Sequence, residues 1–275
     1  MLWNKIKSSL ELSYFIPALI LYTFSLFLPL VTILRNCLDL GLTGWRQLLV
    51  APLFTRAVAN TAIMSISIAV ITVVLAYALA ASIWRASPRG RTVLIFLVVL
   101  PFWTSVMVEI VSWQVLLRDN GILNATLMNW HIIDRPLPLL YAKTAVVLGM
   151  IQYVLPFAVF PILGVMLRLD HRLEQAAESL GATSVRVFWH IIFPLTVPGV
   201  LASLILTFVI SIGFYIIPAT LGGPDEMMIA NTVAVYALRL VDFNRASAVG
   251  MVLLVVVGIL TVVYHRMSVR AEITI

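Results

Sequence analysis

A chain of 275 residues that is 62% hydrophobic and only 11% charged has too little polar surface to cover a water-facing globule, where about 25% of residues are charged. The bilayer must therefore be its main solvent. The net charge of +6 lies between apolar runs and forms no contiguous basic face with stacking aromatics, which excludes a nucleic-acid reader. Cys37 is the single cysteine, so neither an internal disulfide nor a Cys/His zinc pattern can form.

Residues 1–7, with Lys5 and Lys7, lead into a long apolar run. The run exceeds a signal-peptide core and ends in no small-residue cleavage site, so it reads as a retained first span. Six segments reach the length that a spanning helix needs: residues 12–34, 57–84, 92–117, 144–167, 194–217 and 246–264. They do not alternate in polarity, which excludes a β-barrel and leaves an all-α membrane protein read as a single domain over 1–275. Six spans put both termini on one side. That side holds ten Lys and Arg against eight on the other, and the turn at 85–91 carries Arg85, Arg89 and Arg91 with no acid. This bias places the termini in the cytoplasm. Pro101 sits inside the third span, and Pro156 and Pro161 favour kinks in the fourth. Pro194 and Pro198 open the fifth.

The densest charge follows the fourth span: Arg168, Asp170, Arg172, Glu174 and Glu178, with His171 among them. Leu169, Leu173, Ala176, Ala177 and Leu180 recur at three- and four-residue intervals, the stripe of a short amphipathic helix. Asp170 can cap its start and Gly181 can end it in a left-handed conformation. Thr183 or Ser184 can then cap a second short helix. Such a piece suits a groove on another protein. A lipid-surface helix is the alternative, but the alanines supply little membrane affinity.

This stretch resembles the EAA loop of permease subunits of binding-protein-dependent ABC importers. The matching positions are Gln175, Ala176, Ala177, Gly181, Ile191, Phe193 and Pro194. Gln175 stands where the family has Glu, beside Glu174, and Phe193 replaces Leu. The runs at 100–124, "LPFWTSVMVEIVSWQVLLRDNGILN", and at 213–233, "GFYIIPATLGGPDEMMIANTV", are similar to spermidine/putrescine-type permeases of the B-type subunit. The resemblance implies a type I importer permease in a bacterial inner membrane, with residues 168–193 as the coupling loop. The implied partners are a cytoplasmic ABC ATPase dimer that binds ATP and Mg, a second permease of the C-type, and a periplasmic binding protein. The implied substrate is a polyamine or a related cationic amine. Another small solute (an amino acid, opine, iron or organophosphonate) is the alternative, followed by a stand-alone secondary transporter. The chain has no phosphate-cradling G-x-x-x-x-G-K-[ST] loop, so an energy source must come from a partner. No cofactor is expected in the chain itself. His131, His171, His190 and His265 are far apart, with no metal spacing.

Glu109 is the one charged residue well inside a span, about 12 Å from its outer end at 1.5 Å per residue. It either lines the path of a cationic substrate, pairs with an arginine elsewhere, or stays protonated. The resemblance implies that related permeases often carry Arg at this place, so the acid would mark a different substrate or altered gating. Trp103 and Trp113 flank it, and they, Tyr153 and Tyr215 are the other pathway candidates, as cation–π faces or as plain packing. Residues 218–226, "PATLGGPDE", read as an outer loop, either receiving a binding protein or only connecting.

Overall fold

The computed structural model describes residues 2–170 and 172–273, with side-chain surroundings for Pro17, 19–170 and 172–262. His171 lies outside the described residues, as do the surroundings of Lys5, Lys7, His265, Arg266 and Arg270. In chain order the helices are α1 (Leu2–Asp39), α2 (Gly41–Val50), α3 (Pro52–Arg85), α4 (Pro88–Val99), α5 (Val106–Leu117), α6 (Ile122–Asn129) and α7 (Lys143–Met166). There follow α8 (Arg172–Ser179), α9 (Ser184–Val187), α10 (Phe193–Gly213), α11 (Ile216–Leu221), α12 (Ile229–Ala234) and α13 (Phe243–Ile273). Five stretches of the described residues are long and apolar enough to cross a membrane, with Leu19–Asp39, Pro52–Arg85, Lys143–Met166, Ser184–Gly213 and Phe243–Val262 as their bounds.

The third expected span differs from a single helix over 92–117. Pro88–Trp103 and Val106–Asn129 make a pair bent by 96°, a sixth span if read as one. Pro101 has no N–H to continue the ladder, and the helix tightens there into a 3-10 turn over Leu100–Trp103. Thr104 and Ser105 are then extended before α5 begins. The fifth expected span also differs. It begins at Ser184, not Pro194, and runs to Gly213. Ahead of Pro194 the helix widens into a π turn over Phe188–Ile192, with the Phe193 N–H reaching the Phe188 carbonyl. The second short helix expected after Gly181 is thus the first part of this span. In α7 the helix runs unbroken through Pro156 and Pro161.

The chain divides into two compact units, where the sequence reads as one domain: the chain up to Ala51 with Val233–Val252, and Pro52–Thr232 with the chain from Leu253 onward. In the first, the spanning part of α1 buries none of its apolar window. Gly41, at φ +63°, turns the chain into α2, whose Leu48 is buried. Asn36 donates to Ser247 Oγ at 3.1 Å and Arg245 to Gln47 Oε1 at 3.2 Å, so polar links hold α1 and α2 to the start of α13.

In the second unit α3, α7 and α10 pack on one another. One apolar cluster joins Ala76, Ile83, Ile162, Met166 and Ile192. The other joins Ile68, Ile110, Met150, Val154 and Leu221. Lipid tails are as apolar as these side chains, so close packing and interhelical hydrogen bonds must hold the helices together. The Ser203 hydroxyl of α10 donates to the Ala158 carbonyl of α7 at 2.8 Å. Gly199 brings the two backbones together: a Cβ there would stand 2.9 Å from the Pro161 carbonyl oxygen and 3.1 Å from Ile162 Cα. Backbone atoms cannot swing aside. Gly199→Leu should therefore destabilise the bundle by about 1–3 kcal/mol, read as a lower unfolding midpoint in detergent. Gly149→Ala meets side-chain atoms of Leu221, Ile217 and Trp113 and no backbone, and should cost less.

Candidate functional site

The loop after α7 is built from local chemistry. Asp170 accepts the Arg172 N–H at 2.9 Å through Oδ1, capping α8. At the other end Gly181 takes φ +85°. Its N–H donates to the Glu178 carbonyl at 2.9 Å, and the Ala182 N–H reaches back to the Ala177 carbonyl at 3.0 Å. This pair is the Schellman arrangement, which requires a left-handed residue at that position. Thr183 precedes α9 but its side chain makes no capping bond.

The loop lies against its own bundle. Leu169, Ala177, Ala182 and Ile191 pack on the cluster that joins α3, α4, α7 and α9. Glu174 Oε1 accepts from the Arg85 guanidinium at 3.0 Å, with the carboxylate side chain 22% exposed, and Arg85 also stacks over Trp84. The stripe expected to face one way is therefore divided. Leu169 and Ala177 turn inward, whereas Leu173 and Ala176 are exposed and Leu180 is 89% exposed. Helix α8 is thus held on one face only, and its apolar stripe does not form a single ridge. Gln175 is exposed and borders a polar cleft of about 350 Å³ with Glu178 and Ser184. Phe193 packs with Trp189 at 5.2 Å and Tyr77 at 5.9 Å between ring centroids. Pro194 is exposed. Arg85 is the partner that sequence reading misses. It is 89 positions from Glu174, and no local spacing can reveal such a pair.

A second feature sits at the bend between α4 and α5. A groove of about 290 Å³ is lined by Pro101, Thr104, Glu109, Ser112, Trp113 and Gln152, among others. Glu109 lies in the first turn of α5 and not deep in a continuous helix; its Oε1 accepts from the Thr104 hydroxyl at 2.5 Å. The Trp113 N–H donates to Gln152 Oε1 at 2.5 Å. The structure thus unites Glu109 and Trp113 and adds Thr104, Ser112 and Gln152. The other three candidates do not line this groove. Trp103 is 85% exposed. Tyr153 packs against Phe214 at 4.5 Å. Tyr215 is part-exposed, and its carbonyl accepts from Asn231.

The 218–226 stretch is also more than a loop. Pro218 and Leu221 are buried in α11, and the Gln114 side chain donates to the Thr220 carbonyl. Only Gly222–Glu226 forms the connector, with Arg56 beside Asp225 at 3.8 Å. Among the described residues no three His, Cys, Asp or Glu side chains cluster as a metal site.

Several helices long and apolar enough to cross a membrane, with the polar helix α8 docked in the unit that holds α3, α7 and α10, fit a multi-pass transport permease. The crystal structure of a bacterial alginate ABC transporter bound to an alginate-loaded periplasmic protein contains a chain that matches this fold with a TM-score of 0.77, at 21% identity, over 98% of this chain and 97% of that one. The chain belongs to the family of binding-protein-dependent transport system inner membrane components, whose model matches residues 4–271. It is 34% identical over 215 residues to the spermidine/putrescine transport system permease protein PotB of Haemophilus influenzae, covering 78% of this chain and 75% of that protein. It is 30% identical over 220 residues to PotB of Escherichia coli, covering 80% of each. The chain is an inner-membrane transport permease.

The loop geometry makes a direct prediction. Gly181 has open space around its Cβ position, so Gly181→Val should cost about 1–2 kcal/mol through backbone strain alone. Backbone hydrogen exchange should rise across α8 and stay unchanged in α7. The half-exposed Arg85–Glu174 pair is worth roughly 0.5 kcal/mol, so Arg85→Ala should give a smaller rise in the same segment.

Proposed function

We propose that this chain is the B-type permease subunit of an ATP-driven importer that carries polyamines, such as spermidine or putrescine, or a related cationic amine. The substrate arrives on a periplasmic binding protein and leaves in the cytoplasm, where both termini lie. A second, C-type permease completes the pathway. A cytoplasmic ABC ATPase dimer binds ATP and Mg and hydrolyses the nucleotide.

One observation carries the mechanical part of this reading: α8 is fastened to the bundle on one side and offers Leu180 on the other. On the fastened side, partly buried Leu169 and Ala177 pack against the core and Glu174 is paired with Arg85. The free side is exposed Leu180, an apolar side chain on a stretch that also exposes Gln175, Ala176 and Glu178. A groove on the ATPase that closes around this side chain pulls on α3 and α7 through the fastened side. The family resemblance supplies the polyamine substrate, and the 34% and 30% identities to the two PotB proteins support it.

Full transporter in proteoliposomes, with labelled spermidine, tests this. Uptake should need the ATPase and ATP. Leu180→Cys should crosslink to the ATPase, and Leu180→Glu should lower uptake by at least about tenfold, because a charge replaces an apolar anchor in a closed groove. Spermidine uptake driven by an ion gradient without the ATPase would contradict the reading.

A further inference from the structure

We infer that the groove at the α4–α5 bend is a subsite for one ammonium group of the transported amine, with Glu109 as its charge partner. The inference rests on the polyamine reading above and adds the place where the cation is held.

The chemistry follows from where the hydrogens go. The single hydrogen of the Thr104 hydroxyl is engaged by the Pro101 carbonyl at 2.8 Å and Glu109 Oε1 at 2.5 Å. The Ser112 hydroxyl donates to the Val108 carbonyl at 2.8 Å. The Trp113 N–H is given to Gln152 Oε1. These donors are spent within the wall, and what the wall offers is acceptor capacity: a carboxylate, two hydroxyl oxygens and an amide oxygen. The Gln152 amide NH₂ is the one remaining donor type. An ammonium has three donors and no acceptor, so this lining suits it and is poorly matched to an anion. The Trp113 ring adds a face that attracts cations. One carboxylate matches one charge, so the groove takes one end of a polyamine.

The fold explains why the carboxylate is at this place. The break puts Glu109 in the first turn of α5, within reach of Thr104 and on the groove wall. The break at Pro101–Ser105 opens a polar recess inside the span, where irregular backbone is tolerated only if it lines a cavity.

The test uses the complete transporter with its binding protein and ATPase in proteoliposomes, measuring spermidine taken up per ATP hydrolysed. Glu109→Gln should lower that ratio about tenfold while hydrolysis stimulated by the loaded binding protein continues, since one charge-assisted contact is lost. Glu109→Asp should keep most of the ratio. An unchanged ratio in Glu109→Gln overturns the subsite, and so does a parallel fall of uptake and hydrolysis, which marks a structural role. If the Gln variant does not assemble, Ser112→Cys with Cys37→Ser gives a second reading. Spermidine should slow alkylation of the new thiol several-fold, and an unaltered rate overturns the subsite. A wild-type transporter that moves no spermidine overturns the polyamine reading itself, which keeps the two failures apart.

Discussion

Lipid offers no hydrogen bonds, and every choice in this structure answers to that. Each backbone N–H and C=O inside the bilayer must find a partner within the protein, so the long apolar runs are helical. The constraint is sharpest where a helix has to stop. At Pro101 the backbone tightens into a 3-10 turn, and the Thr104 side chain donates to the Pro101 carbonyl. Before Pro194 the ladder slips to a wider π turn and continues. At Gly181, outside the apolar runs, a left-handed glycine and two reaching N–H groups close the helix.

These three sites divide the labour of a transporter. The first opens a recess with a carboxylate in the third span. The second joins the polar loop to the fifth span without a hinge, so α9 and α10 form one continuous stretch from Ser184 to Gly213. The third gives α8 a fixed length and a fixed exit. A short helix with defined ends, seated by Leu169 and Ala177 and tied by Glu174 to Arg85, can transmit a push. A loose loop would absorb it.

Much of this was legible in the sequence because it is local. Asp170 and Gly181 announce their caps within a few residues of the helix that they bound, and the apolar runs show the spans by length alone. The family resemblance rested on the spacing from Gln175 to Pro194, and the family match agrees with it. The bend at Pro101 was not legible, since a proline inside an apolar run is equally compatible with an unbroken helix. Pro156 and Pro161, in α7, are that case. The start of the fifth span differs because Pro194 looks like a helix opening, whereas the helix passes it after a π turn. Gln152 and Arg85 were missed because their partners lie 39 and 89 positions away. Contacts of that range come from the packing of α3, α5, α7 and the loop, which periodicity does not encode.

The central claim is that loop and bundle move as one body. Spin labels at Leu180→Cys and Arg89→Cys, in a Cys37→Ser background, test it most directly, because both sites are exposed and lie in the same unit. Pulsed electron resonance on the full transporter should give the same label-to-label distance without nucleotide and with ATP trapped. A shift of several ångströms between the two states would mean that α8 swings on its own, and the account of force transfer would fail.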